Sequence, residues 1–328
     1  MQEASYYEKR DGSVRCTLCP QFCVVEEGRR GFCGVRENKN GTLYASTYRK
    51  VAAIAVDPIE KKPLYHFYPG RDILSIGSTG CNLRCPFCQN WHLVEGGAPL
   101  KEVEIDELVR LTARSRSVGI SYTYNEPFIQ WEFVYDCAKK FHEKNLKNVL
   151  VTNGFVNPEP LEEILPFIDG MNIDLKFFRE ESYREVSRGS LSPVKKTIEI
   201  AAKKCHIEVT TLIVTGLNDR EDEIREIVAF LASVNPEIPF HISRYFPGYR
   251  YDAPPTEQEF LLKAYRIAKE TLPFVYLGNI QLQGFSDTSC SGCGNLLIER
   301  SGYHTLNRGL DGQRCGKCKK NQNFVNEK

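Results

Sequence analysis

The 328-residue sequence is 41% hydrophobic and 26% charged and carries a net charge of +1. Such a chain can bury a core, which excludes global disorder, and its near-zero charge counts against a broad nucleic-acid surface. Residues 1–15 lack the apolar stretch of a signal peptide, and runs such as 51–56 are far too short to span a bilayer, so a soluble, cytoplasmic protein with no membrane partner is expected.

Thirteen cysteines are many for this length. All but Cys137 and Cys205, which read as small buried hydrophobes, fall into three tight groups. In a reducing compartment, clustered thiols at ligand spacing point to metal. The first group is Cys16-x2-Cys19-x3-Cys23-x9-Cys33, interleaved with glycines. It suits a small, turn-rich four-cysteine module over residues 1–40. Zinc and an auxiliary iron–sulfur cluster both fit, and the reading leans to zinc.

A connector, 41–70, follows, with a short strand candidate at 50–56. Its second half, DPIEKKPLYHFYPG, holds three prolines and reads as an ordered segment that is neither helix nor strand. Lys61, Lys62, Tyr65, His66 and Tyr68 suit contact with a substrate, which would place this segment at the rim of the active cavity. A plain tether for the N-terminal module is the alternative.

Between residues 71 and 285, strand-like runs at 73–78, 121–124, 148–152, 170–175, 206–214 and 240–245 alternate with helix-like runs. One helix is read with Ser192 as N-cap, Pro193 at its first position, and Val194, Ile198 and Ala201 facing inward. Another, starting near Asn218, presents Ile224, Ile227, Val228 and Leu231. The alternation argues for a parallel sheet with right-handed crossovers. An open six-stranded barrel and a flat doubly wound sheet both accommodate it.

Directly after the first of these strands stands GSTGCNLRCPFCQN, with Cys81-x3-Cys85-x2-Cys88. Zinc normally takes four ligands, and His92 is the one nearby candidate for a fourth. Three thiolates suit a [4Fe–4S] cubane with one iron left open to a cofactor. A structural zinc loop or three unrelated buried thiols are the plainer alternatives. Further motifs close later strands: Glu126-Pro127 within TYNEP, Thr152-Asn153-Gly154, and Asp174-Leu175-Lys176. Singly, these could be a strand end, a turn and a structural ion pair. His241 and Arg244 end the last strand and fit a cofactor contact or a core role equally well.

At the C-terminal end, Cys290-x2-Cys293 and Cys315-x2-Cys318 form a pair of knuckles over residues 286–328. They read as a zinc-ribbon-like site, with rubredoxin-type iron or an auxiliary cluster as the alternative. The tail from Asn321 is expected to fray.

CNLRCPFCQN resembles the signature of radical S-adenosylmethionine (SAM) enzymes, C-x3-C-x-aromatic-C. TNG and DLK are similar to the corresponding elements of glycyl-radical-enzyme activases such as pyruvate formate-lyase activating enzyme. The resemblance implies a [4Fe–4S] cluster on Cys81, Cys85 and Cys88. It also implies SAM contacts from Phe87, Asn125, Glu126, Thr152, Asn153, Asp174 and Lys176. TYNEP stands where the family has Gly-Gly-Glu-Pro, so only Glu126 and Pro127 match. Val151 stands where activases usually have an Asp that helps bind a monovalent cation. The four blocks CxLCPxxC…GxxGxCxVR, DPIEKKPLYHFYPG, the cluster motif and the C-terminal cysteine pairs resemble the radical SAM enzymes of the AmmeMemoRadiSam system.

The expected fold is therefore α/β, a partial (β/α)6 radical SAM barrel flanked by two small four-cysteine modules. The implied activity is reductive cleavage of SAM to a 5′-deoxyadenosyl radical that abstracts hydrogen from a protein substrate, fed by a low-potential flavodoxin- or ferredoxin-type electron donor. Radical modification of a small metabolite or a nucleic-acid base is the second reading. A non-enzymatic zinc-ribbon protein that binds nucleic acid is the third, and the charge counts against it.

Overall fold

A computed structural model describes residues 2–95 and 97–326. At its centre is an eight-stranded sheet of β1 (Ala53–Pro58), β2 (Asp72–Gly77), β3 (Gly119–Tyr122), β4 (Lys147–Thr152), β5 (Gly170–Asp174), β6 (His206–Ile213), β7 (Phe240–Arg244) and β8 (Val275–Gly278). Spatial order follows chain order throughout. Every pairing is parallel except that of β1 with β2. Six helices fill the crossovers from β2 to β8: α1 (Ile105–Arg114), α2 (Trp131–Glu143), α3 (Pro158–Ile164), α4 (Leu191–Ala201), α5 (Glu221–Val234) and α6 (Gln258–Lys269). Doubly wound sheets reverse strand order at a switch point. No reversal occurs here, so the architecture is the open (β/α) barrel.

Two strands of this sheet lie outside the six read for the barrel, one of them, β1, overlapping the separate strand candidate at 50–56. β8 adds a seventh parallel strand. β1 runs into the proline-bearing connector, and residues 59–61 continue as a 3-10 turn. The segment 57–70 was expected to hold neither helix nor strand; it begins with the end of β1 and a 3-10 turn. Pro58 is tolerated because it ends an edge strand, where a missing N–H breaks no interior ladder.

The helices bury the stripes their spacing dictates: Val194, Ile198 and Ala201 in α4, and Ile224, Ile227, Val228 and Leu231 in α5. α4 starts earlier than expected. Ser190 occupies its N-cap, and Ser192-Pro193 fall in the first turn, where the missing proline N–H is not needed. α5 starts at Glu221, leaving Asn218 outside the helix.

Side chains alternate along β6, so Glu208, Thr210 and Leu212 share a face. Thr210 and Leu212 line a cavity toward the carboxyl ends of the strands. Glu208, nearer the amino end, receives the connector. Its carboxylate accepts the backbone N–H groups of Tyr65 (2.9 Å) and His66 (2.7 Å) and lies 2.6 Å from His241 Nε2. Asn172 of β5 donates to the Pro63 carbonyl at 2.8 Å. Phe67 packs over Gly170, where a Cβ would stand 3.2 Å from its ring. The connector thus plugs the amino-terminal half of the barrel. This corrects the placement of Tyr65, His66 and Tyr68 at the rim: all three are buried. Only Lys61, Lys62 and Pro63 reach the cavity.

The N-terminal region forms two three-stranded antiparallel sheets, one from Tyr7–Arg10, Ser13–Cys16 and Val24–Glu26, the other from Gln2–Glu3, Thr42–Ala45 and Arg36–Lys39. At the other end, the strands Thr288–Ser289, Leu296–Ser301 and His304–Asn307 dock on the connector. Arg300 donates to the Tyr65 carbonyl (2.7 Å) and lies over the Tyr65 ring. The tail does not fray as expected. Gln322 and Phe324 are buried, and Val325 exchanges backbone hydrogen bonds with His66 and Tyr68. Residues 327 and 328 lie outside the described residues.

Candidate functional site

The carboxyl ends of β2 to β6 open on a cavity of about 1650 Å³. Cys81, Cys85 and Cys88 line it, as do Phe87, Asn125, Glu126, Thr152, Asn153, Asp174 and Lys176. Every residue expected to hold the cluster or SAM therefore faces one space. A parallel barrel brings this about because its strands deliver their following loops to one end.

The loop carrying the three thiols is held from several sides. Asn125 Oδ1 accepts from Ser78 N (2.9 Å), and its Nδ2 donates to the carbonyls of Thr79 (3.2 Å) and Gly80 (3.1 Å). Gly80 adopts φ +83°, and a Cβ there would stand 2.4 Å from the Cys33 carbonyl oxygen. Only glycine suits that position. Leu83 N donates to Cys81 Sγ (3.4 Å), and Ser187 Oγ lies 3.3 Å from Cys85 Sγ. Burial pushes all three thiol pKa values up. Phe87 is buried edge-on to Phe177, with ring centroids 6.0 Å apart.

Glu126 is the hub of the next layer. Its carboxylate accepts from Thr152 Oγ1 (2.8 Å), Asn153 N (2.8 Å) and Phe128 N (3.0 Å). Burial pushes its pKa up to about 7, against the opposing pull of those donors. Asn153 Nδ2 donates to Asn82 Oδ1 (2.9 Å), and Asn82 donates to the Phe155 carbonyl (2.7 Å). Asp174 and Lys176 pair at 2.8 Å on the cavity wall. Burial opposes the charge of Lys176, yet Asp174 and Cys85 hold its pKa above the ordinary lysine value.

Three residues raised as candidates stand elsewhere. His241 is buried against Glu208, away from the cavity lining. Arg244 donates to the Thr256 carbonyl, also off the lining. His92 is exposed and off the lining, so the one candidate for a fourth ligand near Cys88 does not face the thiols.

Other residues were not singled out from the sequence. Asn82 and Arg84 lie inside the C-x3-C segment itself. Arg84 donates to the Cys81 carbonyl (2.7 Å) and stacks over Phe32, 4.2 Å from its centroid. Their position between ligands was the available signal. Asn218 ties the end of β6 to the DLK loop by accepting from Val214 N (2.6 Å) and donating to the Lys176 carbonyl (2.8 Å). At the rim, Trp91 stacks on Tyr249, with centroids 5.4 Å apart. No local pattern marks Tyr249.

The donor set fits an iron–sulfur cluster. Three soft thiolates on one loop face a cavity, and that loop is fixed by backbone contacts rather than by a fourth ligand. The comparisons agree. Residues 75–231 match the family description of the radical SAM superfamily, so the chain carries a radical SAM domain. It is 43% identical over 328 aligned residues to uncharacterized protein MJ0808 of Methanocaldococcus jannaschii, covering 97% of this chain and 98% of that one. It is 26% identical over 180 residues to the pyruvate formate-lyase-activating enzyme of Clostridium pasteurianum, covering 49% of this chain and 72% of that enzyme. Among solved structures, Streptococcus suis SuiB bound to S-adenosylmethionine superposes with a TM-score of 0.51 at 13% identity, covering 65% of this chain and 51% of that one. That likeness concerns the fold alone. Among the described residues no helix is long and apolar enough to cross a membrane.

Proposed function

We propose that this chain is a radical SAM enzyme of the activase-like kind. In this reading Cys81, Cys85 and Cys88 hold a [4Fe–4S] cluster, and SAM lies between Phe87, Asn125, Glu126, Thr152, Asn153, Asp174 and Lys176. The observation that carries the reading is the convergence of all ten residues on one cavity beneath a three-thiol loop. When bound and reduced, the cluster supplies the electron that cleaves the SAM sulfonium.

The chain's own part is placement. Asn125 fixes the backbone before Cys81. Glu126 orders the Thr152–Asn153 turn. The Asp174–Lys176 pair sets fixed charges on the wall. The connector plug closes the amino-terminal side against water, which protects a reactive intermediate. A drug-sized ligand fills roughly 300–1,000 Å³. The cavity is larger, which supports room for a substrate segment beside SAM and a hydrogen abstraction from a protein residue. A flavodoxin- or ferredoxin-type protein would supply the electron. The four-block layout supports a place in the AmmeMemoRadiSam group.

Cys290, Cys293, Cys315 and Cys318 are assigned a zinc ion. Their sulfurs all lie within 4.8 Å of one another, with Cys290–Cys318 at 3.4 Å and Cys293–Cys315 at 3.7 Å. Tetrahedral zinc with Zn–S bonds of about 2.3 Å calls for sulfurs about 3.8 Å apart.

The test is anaerobic reconstitution, reduction and incubation with SAM, with 5′-deoxyadenosine measured alone and with candidate protein and nucleotide substrates. Stimulation by a protein, with deuterium moving from it to 5′-deoxyadenosine, supports the reading. No SAM cleavage by a fully loaded cluster refutes it.

A further inference from the structure

We infer that Cys16, Cys19, Cys23 and Cys33 hold a second iron–sulfur cluster of cubane size, set against the Cys81 loop on the wall of the same cavity. The inference rests on reading Cys81, Cys85 and Cys88 as cluster ligands and adds a separate centre.

The chain holds three groups of thiols, and their spread differs. The C-terminal four are drawn together to the spacing of a single tetrahedral ion. Among the described residues they are the only group of three or more candidate ligand atoms so close. Neither Cys81, Cys85 and Cys88 nor the N-terminal four close to that distance. In the N-terminal group Cys16 N donates to the Cys23 carbonyl at 2.9 Å, and Phe32, the neighbour of Cys33, donates its N–H to Cys23 Sγ at 3.3 Å, so the segments bearing these thiols meet without three sulfurs reaching zinc spacing. Thiolates that bind separate irons of a cubane must stand further apart than thiolates on one ion. Like the radical SAM triad, the N-terminal group thus departs from the spacing of the ribbon.

Its surroundings point the same way. Cys16 and Cys19 are buried, and Phe32 N donates to Cys23 Sγ at 3.3 Å. Burial and N–H···S bonds are the means by which proteins set the potential of such clusters. The module also meets the triad loop directly. The Cys33 carbonyl packs against Gly80, Gln21 Nε2 donates to the Asn82 carbonyl (3.0 Å), and Arg84 stacks on Phe32. Phe32, Cys33 and Gly34 line the cavity beside Cys81. Zinc here would be redox-silent. A cubane makes this part of the wall an electron-exchanging surface.

Iron, zinc and acid-labile sulfide are counted on the full-length protein, loaded anaerobically, as wild type and as the Cys81→Ala/Cys85→Ala/Cys88→Ala variant. The expected result is about eight irons in the wild type and about four in the variant, with sulfide to match and one zinc in both. A variant holding no iron, or two zinc ions and no iron, overturns the second cluster. A variant that loses no iron overturns the reading of Cys81, Cys85 and Cys88 instead. Should the variant not fold, electron paramagnetic resonance of the reduced wild type decides. Two signals, one shifted by SAM and one indifferent to it, are expected. A single SAM-sensitive signal overturns the proposal.

Discussion

His66 lies flat against Phe324, with ring centroids 4.2 Å apart and planes within 5°. The contact joins the connector inside the barrel to the tail beyond the last cysteine. Phe324 is buried, and truncating a buried phenylalanine typically costs about 3–5 kcal/mol. Phe324→Ala should therefore lower the thermal midpoint and open residues beyond Ser286 to protease before the barrel is cut. Unaltered protection in limited proteolysis would show that the stack does not hold the tail.

The same histidine predicts a pH response. Burial lowers its pKa from 6.5 to about 3, with Tyr276 Oη 2.6 Å from Nε2 and the Gln322 carbonyl 3.2 Å from Nδ1. Glu208, which would favour the charge, and His206 and Arg300, which oppose it, also act on the ring. Between those two pKa values the unfolded chain binds a proton that the folded chain does not. Stability from this group is thus complete above pH 6.5 and is lost as pH falls toward 3, by up to about 1.4 kcal/mol per pH unit. Thermal midpoints taken from about pH 6.5 to about pH 5, above most carboxylate titrations, should fall less steeply in His66→Gln than in the wild type. Parallel slopes would assign the response to other groups.

Asn125 makes three hydrogen bonds to the backbone of residues 78–80. Asn125→Ala leaves those partly buried groups unpaired, at about 1–3 kcal/mol each where water does not replace it. Reduced cluster retention and weaker SAM binding, with the helical far-ultraviolet signal preserved, are the expected results of iron analysis and calorimetry. Full retention of both would reduce Asn125 to a bystander.

Cys293 is an exposed member of the C-terminal group. Cys293→Ser can remove a ligand without opening the core, so elemental analysis should show the loss of one metal equivalent. The ribbon's own core is small, comprising Leu297, Ile298, Leu310 and Phe324 with Cys290 and Cys315. In so small a module metal binding is folding energy, and the segment should become protease-sensitive. An unchanged metal count would remove the site.

Much of the barrel was legible because its signals are local. The six strands read from alternating apolar runs fall within two residues of their observed limits, and the stripes of α4 and α5 are buried as their spacing dictates. The cysteine triad and the Glu126, Asn153 and Asp174 loops could be placed together because strand order in a barrel carries loops to one end. What escaped depends on distant partners. β8, four residues long like β3, follows Pro273 and was not read from the sequence. Tyr65 and His66 look like surface residues until Glu208, over 140 positions later in the chain, is seen to accept their N–H groups. The tail looked free because its partners, His66 and Tyr68, stand in a loop. Asn125 showed only as a departure from glycine, and its clamp on residues 78–80 needed the fold.

The plug inside the barrel also orders events at synthesis. His66 hydrogen-bonds across 256 positions to Gln322, and Tyr68 to Val325. A nascent chain can pair β1 through β8 and present the three thiols of the triad long before residues 322–325 leave the ribosome. Contacts of such long sequence separation form late. Until they form, the connector plugs the barrel without its outer cover. The cover over the plug is thus completed after the triad and its cavity at the opposite end of the barrel are in place.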